Sequence, residues 1–452
     1  MNSDYWPFAV LASSVVVVVF LITKLRFHPF VALILSAIFV GLISPSLPVV
    51  AGQIPLITAL ELPMQEFGVV AGKIAWVIAL AAIIGTAMMK SGAAEQIVNW
   101  LLKTLGRKSA SLALVISGFI LSIPVFFDTV FFLLIPLAIT LALKTGRDFV
   151  RYVVAISGGA VISHSIVPPT PGPLIMAESL SIDLGAVILA GLLAAILPIV
   201  VVLKVAKRLN QKLDIPVRIA DASVTSVQQP PSVLASTLPI VLPITMISLA
   251  SIVDVVTGSL PDWIAFLGNK NFAMSVGAII ALYLWASALK LGKQELWSAI
   301  SKPLEIAGVI ILITSAGGAY GAMIKHSGIG DAITLATEGF SVHYVLLAWL
   351  IAAVMKTAQG SGTVSMITSS AIMAALIGPD AQLEFHPVYI LLSIGFGSMT
   401  VSWMNDSGFW IVSRMSGFTE KETLQTWSFV LVSISVVGLL QVFLMSWLFP
   451  LV

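Results

Sequence analysis

Residues 107–147 read RKSASLALVISGFILSIPVFFDTVFFLLIPLAITLALKTGR. The apolar stretch 109–143 is closed at both ends by basic residues, Arg107 and Lys108 before it and Lys144 and Arg147 after it. Lys and Arg gather on the cytoplasmic side of membrane proteins, so both ends of the stretch belong on one side. Two full spans joined by a turn need about 40 residues or more, and this stretch is shorter. Its middle carries Pro124, Asp128 and Pro136. The reading is a re-entrant hairpin that dips in from the cytoplasm and returns. Irregular backbone at that depth is tolerated only where protein or a water-filled cavity surrounds it. Residues 343–377 read the same way from the opposite side, with Gly360-Ser361-Gly362-Thr363 at the tip.

The rest of the chain fits a multi-pass membrane protein. Hydrophobic residues make up 58% of its 452 positions and charged residues 10%, with a net charge of +2. A soluble domain carries about 25% charged residues, so this chain needs lipid around it. Apolar runs predict helices at 5–23, 27–44, 71–89, 151–168, 185–203, 233–255, 271–289, 304–324, 387–404 and 425–448. Residues 93–105 read as an amphipathic surface helix. The start of the chain lacks a basic region ahead of its apolar run, which predicts a retained first helix. With both termini periplasmic, 19 of the 23 Lys and Arg residues fall on the cytoplasmic side, and only Lys73, Lys270, Lys325 and Lys356 fall outside. That bias predicts a bacterial inner-membrane protein in this orientation.

The sequence also repeats. Gly85-Thr86-Ala87-Met88-Met89-Lys90 before Ser91-Gly92 echoes Gly321-Ala322-Met323-Ile324-Lys325 before Ser327-Gly328. Asp128-Thr129-Val130 echoes Gly362-Thr363-Val364, and Gly159 and Gly172 match Gly395 and Gly408. Lys90 reads as inside and Lys325 as outside, so the repeat is inverted. The predicted fold is all-α, with two inverted halves of about five transmembrane helices and one hairpin each. The first half covers 1–204, with scaffold helices in 1–90, the hairpin at 109–143 and a broken helix at 151–182. A polar cytoplasmic linker follows at 205–232. The second half covers 233–452, with scaffold helices in 233–325, the hairpin at 343–377 and a broken helix at 387–414. Interrupted helices in matching places of two halves mark secondary transporters and point to the binding site.

Four places combine backbone breakers with polar side chains at membrane depth. Phe127, Asp128 and Thr129 sit at the first hairpin tip, and an intramembrane carboxylate is a functional candidate by default. Its bland alternative is a cap on the hairpin's second helix. His164 and Ser165 precede PPTPGP at 168–173, which contains Thr170 and Gly172. Prolines there end the helix and expose the positive start of the next half-helix, a place for an anion. Gln359, Gly360, Ser361, Gly362 and Thr363 offer close backbone approach and hydroxyls for a polyol. Asn405, Asp406, Ser407 and Gly408 favour a local break with side-chain-to-backbone bonds. Asp406 leads as proton carrier, with Asp128 as the alternative and His164 next. Lys356 and Arg414 flank these regions and either attract the anion or snorkel to the interfaces. Gly317 and Gly321 read as helix packing.

Several classes are disfavoured. No basic cluster with interleaved aromatics points to nucleic acid. No Walker motif, dinucleotide fingerprint or metal-ligand set appears, so no cofactor and no metal are expected. A hydrolase built on Ser361 and His164 lacks a nucleophile context, and no enzyme activity is expected. A substrate-free scaffold has no reason to bury Asp128, Asp406 and two broken helices.

IPVFFDTVFFLLIPLA at 123–138, SHSIVPPTPGP at 163–173, AQGSGTVSMITSSAI at 358–372 and NDSGFW at 405–410 resemble the gluconate permease (Gnt) family of the ion transporter superfamily. The resemblance covers essentially the whole chain. It implies uptake of gluconate-like sugar acids by proton symport, or of D-serine in one branch. It also implies a homodimer of elevator type, with a scaffold and a mobile domain holding two opposed hairpins. The family carries Glu in place of Asp128, His in place of Thr170, a His where this chain has Trp403 and Met404, and Pro in place of Ser407. These departures lie in the predicted site and bear on which substrate is carried. A sodium-coupled carrier of other small carboxylates or D-serine is the alternative.

Overall fold

A computed structural model of the chain describes residues 6–45, 47, 54–106, 109–213, 215–218, 230–329, 332, 343–377, 383–404 and 406–451. The described residues are helical, with no strand among them. The first half holds α1 (Trp6–Thr23), α2 (Pro29–Ile43), α3 (Pro55–Lys90), α4 (Ala93–Leu105), α5 (Ala110–Leu121), α6 (Phe127–Thr145), α7 (Phe149–Ile166), α8 (Pro171–Ser179), α9 (Leu184–Ala194) and α10 (Ile196–Lys212). The second half holds α11 (Val233–Thr257), α12 (Asp262–Gly268), α13 (Lys270–Leu289), α14 (Lys293–His326), α15 (Tyr344–Gln359), α16 (Gly362–Ile377), α17 (Val388–Gly397) and α18 (Ser407–Ser416). It closes with α19 (Glu420–Leu448), which contains a π turn at Leu424–Ser428. Eight helices among the described residues are long and apolar enough to cross a membrane. They include the hairpin arm α6, but not α1, α2 or α17, which the sequence reading counted among ten spans.

Several helix limits differ from the sequence reading, each for a physical reason. The helix expected at 71–89 begins at Pro55, because Glu61 and Glu66 lower hydropathy without opposing helix. Pro55 itself stands at the helix start, where its missing N–H costs nothing. The helix expected at 304–324 begins at Lys293, where Glu295 reaches back to the Gly292 N–H at 2.8 Å. α10 runs to Lys212, so the linker expected from 205 starts later. The helix expected at 387–404 stops at Gly397, and residues 398–404 and 406 form a break before α18. The short α12 was not expected at all.

The long helices α3 and α14 run along each other and carry α2 and α13 beside them. The hairpin α5–α6 packs on α7, and the hairpin α15–α16 packs on α17. α16 also lies against α14, where Gly317 and Gly321 leave room for Ile367 and Ala371. A Cβ on Gly317 would stand 1.8 Å from Ile367 and one on Gly321 2.2 Å from Ala371, so these glycines are packing contacts. At 1.5 Å per residue α5 is only about 18 Å long, and α15 and α16 are about 24 Å each. All three fall short of a hydrocarbon core of about 30 Å.

Glycines also set the distance from hairpin to broken helix. A Cβ on Gly159 of α7 would stand 2.1 Å from the Val115 carbonyl oxygen of α5. Gly397 of α17 makes the matching approach, with 2.6 Å to the Trp349 carbonyl oxygen of α15. Gly395, paired with Gly159 in the sequence repeat, instead faces the Ser165 carbonyl oxygen at 2.7 Å. Gly159→Ala is therefore expected to destabilise the protein by about 1–3 kcal/mol through overpacking. Gly68→Ala meets nothing within 4 Å and serves as control. Thermal unfolding in detergent reads the difference, and equal melting temperatures for the two variants would contradict this packing.

Candidate functional site

Both hairpin tips and both helix breaks face one cavity of about 570 Å³. Phe127, Asp128 and Thr129 reach it from the start of α6. His164 and Ser165 reach it from the end of α7, and Ser361, Gly362 and Thr363 from the start of α16. Asp406, Ser407 and Gly408 reach it from the break before α18. Thr170, Gly172, Gln359 and Gly360 stand behind its wall rather than on it. Asn405 lies outside the described residues.

The residues behind the wall shape the backbone. Thr170 Oγ1 donates to the carbonyls of His164 at 3.0 Å and Val167 at 2.8 Å, which closes the end of α7. Gly172 lets Met366 of α16 come close, since a Cβ there would stand 2.3 Å from the Met366 methyl. Gly360 ends α15 with φ +82°, a left-handed conformation that glycine adopts without steric cost. Gln359 Nε2 turns to the Met355 sulfur at 3.8 Å.

The strongest interaction in the cavity joins Lys356 and Asp406. Lys356 Nζ lies 2.6 Å from Asp406 Oδ2 and donates also to the Gly360 carbonyl at 2.6 Å. The two residues are only 4% and 7% exposed, so Lys356 neither snorkels nor faces bulk water. The charge-bias count placed it outside; a buried, paired lysine says nothing about orientation. Helix ends reinforce the pair. Lys356 sits at the negative end of α15, and Asp406 caps the positive end of α18 by accepting from the Gly408 N–H at 3.0 Å. Ser402 Oγ donates to Asp406 Oδ2, and Trp427 Nε1 donates to Ser402 Oγ at 2.7 Å. The π turn in α19 presents Trp427 and Ser428 together to this loop, where Ser428 Oγ donates to the Ser402 carbonyl.

Asp128 differs. It lies in the first turn of α6, where its carboxylate meets its own backbone N–H, and it forms no ion pair among the described residues. Its carboxylate is near enough to that of Asp406 for the charges to repel. His164 links the two tips, with Nε2 3.5 Å from Thr363 Oγ1 and its ring edge-on to Phe126 at 6.4 Å. Its Nδ1 is buried without a hydrogen-bond partner among the described residues. Ser361 Oγ accepts from the Val364 N–H at 3.3 Å and caps α16. Arg414 stacks over the Trp410 ring at 5.5 Å, two turns along α18 from Asp406. Sequence reasoning noted Lys356 but not its pairing, and it passed over Ser402 and Trp427. A lysine inside an apolar hairpin arm was itself the signal, by the same rule that singled out Asp128.

The family model for GntP family permeases matches residues 6–448. The chain is 30% identical to the gluconate permease of Pseudomonas aeruginosa, over 96% of each chain. It is 31% identical to the D-serine transporter DsdX of Escherichia coli K12, over 99% of this chain and 100% of that one. The Alcanivorax borkumensis YdaH transporter shares the fold with a TM-score of 0.66 at 15% identity, covering 94% of this chain and 100% of its own. Neisseria gonorrhoeae MtrF gives the same score and identity over 94% and 97%. With permease relatives along its whole length and a helical fold that matches known transporters, the chain belongs to the GntP family of permeases and is a multi-pass membrane transporter, not an enzyme.

Proposed function

We propose that this permease carries small hydroxylated carboxylates across the bacterial inner membrane together with protons. The observation that carries the reading is the charge inventory of the cavity. Among the described residues lining it, Lys356 is the one Lys or Arg, against Asp128 and Asp406. With His164 neutral the empty cavity holds one net negative charge. An anion entering alone would double that charge in a low-dielectric site, so it has to arrive with a proton or another cation. Hydroxyls of Thr129, Ser361 and Thr363 suit a polyol, and relatives named for gluconate transport agree.

The same reading includes two inverted halves, re-entrant hairpins, an elevator movement, periplasmic termini and a homodimer. It is supported by a second cavity of about 620 Å³ at the far end of α14, lined by Gly318, Gly321, Lys325 and His326. The first cavity uses Ile306, Ile310 and Thr314 of the same helix. Cavities on opposite halves of one long helix, with α16 lining the first through Gly362, Thr363 and Val364 and the second through Ala371 and Ala375, fit alternating access. A second substrate class has its own support. The Asp128 carboxylate, which has no ion-pair partner among the described residues, would take the ammonium group of a zwitterion such as D-serine, the substrate named for one relative.

Uptake into proteoliposomes tests the proposal. Labelled gluconate and D-serine are supplied with an inward proton gradient, in choline or sodium buffer, with and without a protonophore. Accumulation is expected in choline and lost with the protonophore. Uptake that needs sodium and ignores the protonophore would overturn proton coupling.

A further inference from the structure

Resting on the sugar-acid reading above, we infer that Lys356 is the anchor for the substrate carboxylate, and that Asp406 occupies that anchor while the cavity is empty. Lys356 carries the only ammonium among the described residues that line the cavity, and its closest anion is an internal one at 2.6 Å. Among the described lining residues a substrate carboxylate has no other Lys or Arg to bind. It therefore competes with Asp406 for Lys356.

Asp406 can be released without moving. The Gly408 N–H holds Oδ1, the oxygen that Lys356 does not touch, and the Ser402 hydroxyl shares Oδ2 with Lys356. The charged groups around it are Lys356 of α15, Asp128 of α6 and Arg414 farther along α18, with His164 of α7 also on the wall. None of these replaces the lost ammonium. A buried carboxylate without a partner is costly, so Asp406 Oδ2 takes up a proton from the solution as its contact with Lys356 opens. That new O–H can donate to Ser402 Oγ. One lone pair of that oxygen takes the Trp427 N–H, and the second is available once the Ser402 hydroxyl turns away. One anion and one proton enter, and the cavity's net charge is unchanged. On the proton-poor side the steps reverse. Asp406 loses its proton, reclaims Lys356 and expels the substrate.

The test uses purified full-length protein and D-gluconate. In weakly buffered solution with an indicator dye, wild type is expected to take up about one proton per gluconate bound. Its affinity should fall up to tenfold per pH unit as pH rises through the range where that proton is lost, as linkage requires. Asp406→Asn frees the anchor. It should bind gluconate at pH 8 at least tenfold more tightly than wild type, with a nearly flat pH profile and no proton uptake. The double variant Lys356→Gln/Asp406→Asn should lose gluconate affinity at least 100-fold while keeping its melting temperature. Gluconate binding to wild type without proton uptake would overturn the exchange, and this measurement needs no variant to fold. An unchanged pH slope in Asp406→Asn, or proton uptake abolished only by Asp128→Asn, would overturn it as well. Failure of wild type to bind gluconate at any pH would instead defeat the sugar-acid reading beneath it.

Discussion

Lys356→Met should be among the most destabilising single substitutions in the protein, and Asp406→Asn should rescue it. Methionine matches lysine up to the terminal nitrogen and keeps the packing of α15, but it removes the only ion-pair partner of Asp406 among the described residues. Breaking a buried pair by deleting one partner costs about 3–5 kcal/mol, because an uncompensated charge stays behind. The surviving carboxylate can escape part of this cost by taking a proton, so the loss should be smaller at pH 5 than at pH 8. With Asp406→Asn added, neither charge remains and most of the stability should return. Thermal unfolding in detergent across that pH range measures all four members of the cycle. A double variant no more stable than Lys356→Met, or a single variant as stable as wild type at pH 8, would show that the pair is not a stabilising contact.

Asp128→Asn should separate the two substrate classes. Its carboxylate stands in the cavity without an ion-pair partner among the described residues and close to Asp406, so for a simple anion it is a repulsive charge. Removing it should lower the KM for gluconate several-fold at pH 8, with little effect at pH 5. For D-serine the same group is the natural partner of the ammonium. Losing one side of a desolvated pair costs about 2–5 kcal/mol, which predicts transport reduced by at least thirtyfold. Competitive uptake of both labelled compounds reads the two effects in one preparation. If both substrates lost transport equally, Asp128 would be serving the fold or the coupling rather than selecting a charge type.

The parts of the site that the sequence made legible are those where backbone and side chain speak together. Pro124 with Asp128, the prolines of 168–173, and the glycines of 360–362 each interrupt a helix beside a polar group, and all three lie at breaks in the structure. The Lys356–Asp406 pair was not legible, because the partners stand 50 residues apart on different elements and no local pattern joins them. Thr170 read as a ligand group, yet its hydroxyl is used by the carbonyls of His164 and Val167. A hydroxyl's choice between backbone and ligand depends on how the chain turns, which residue spacing does not reveal. The fold was misjudged mainly at residues 55–70. There hydropathy dropped at Glu61 and Glu66 while the helix continued, and Glu66 Oε1 finds His326 at 3.0 Å.

The π turn at Leu424–Ser428 has a consequence for comparing relatives of this permease. Such a turn holds one residue more than the α-turn it replaces. Here the extra residue brings Trp427 and Ser428 onto one side of α19, where both bond Ser402 beside Asp406. Deleting one residue in 424–428 would restore an ordinary helix and turn the chain on one side of the deletion by about 100° relative to the other, which would take Trp427 and Ser428 out of register with Ser402. A relative whose alignment with this chain shows a single-residue gap there, with flanking residues matched, should hold the carboxylate at its Asp406 position differently. It should therefore differ in transport even if every cavity-lining residue is the same.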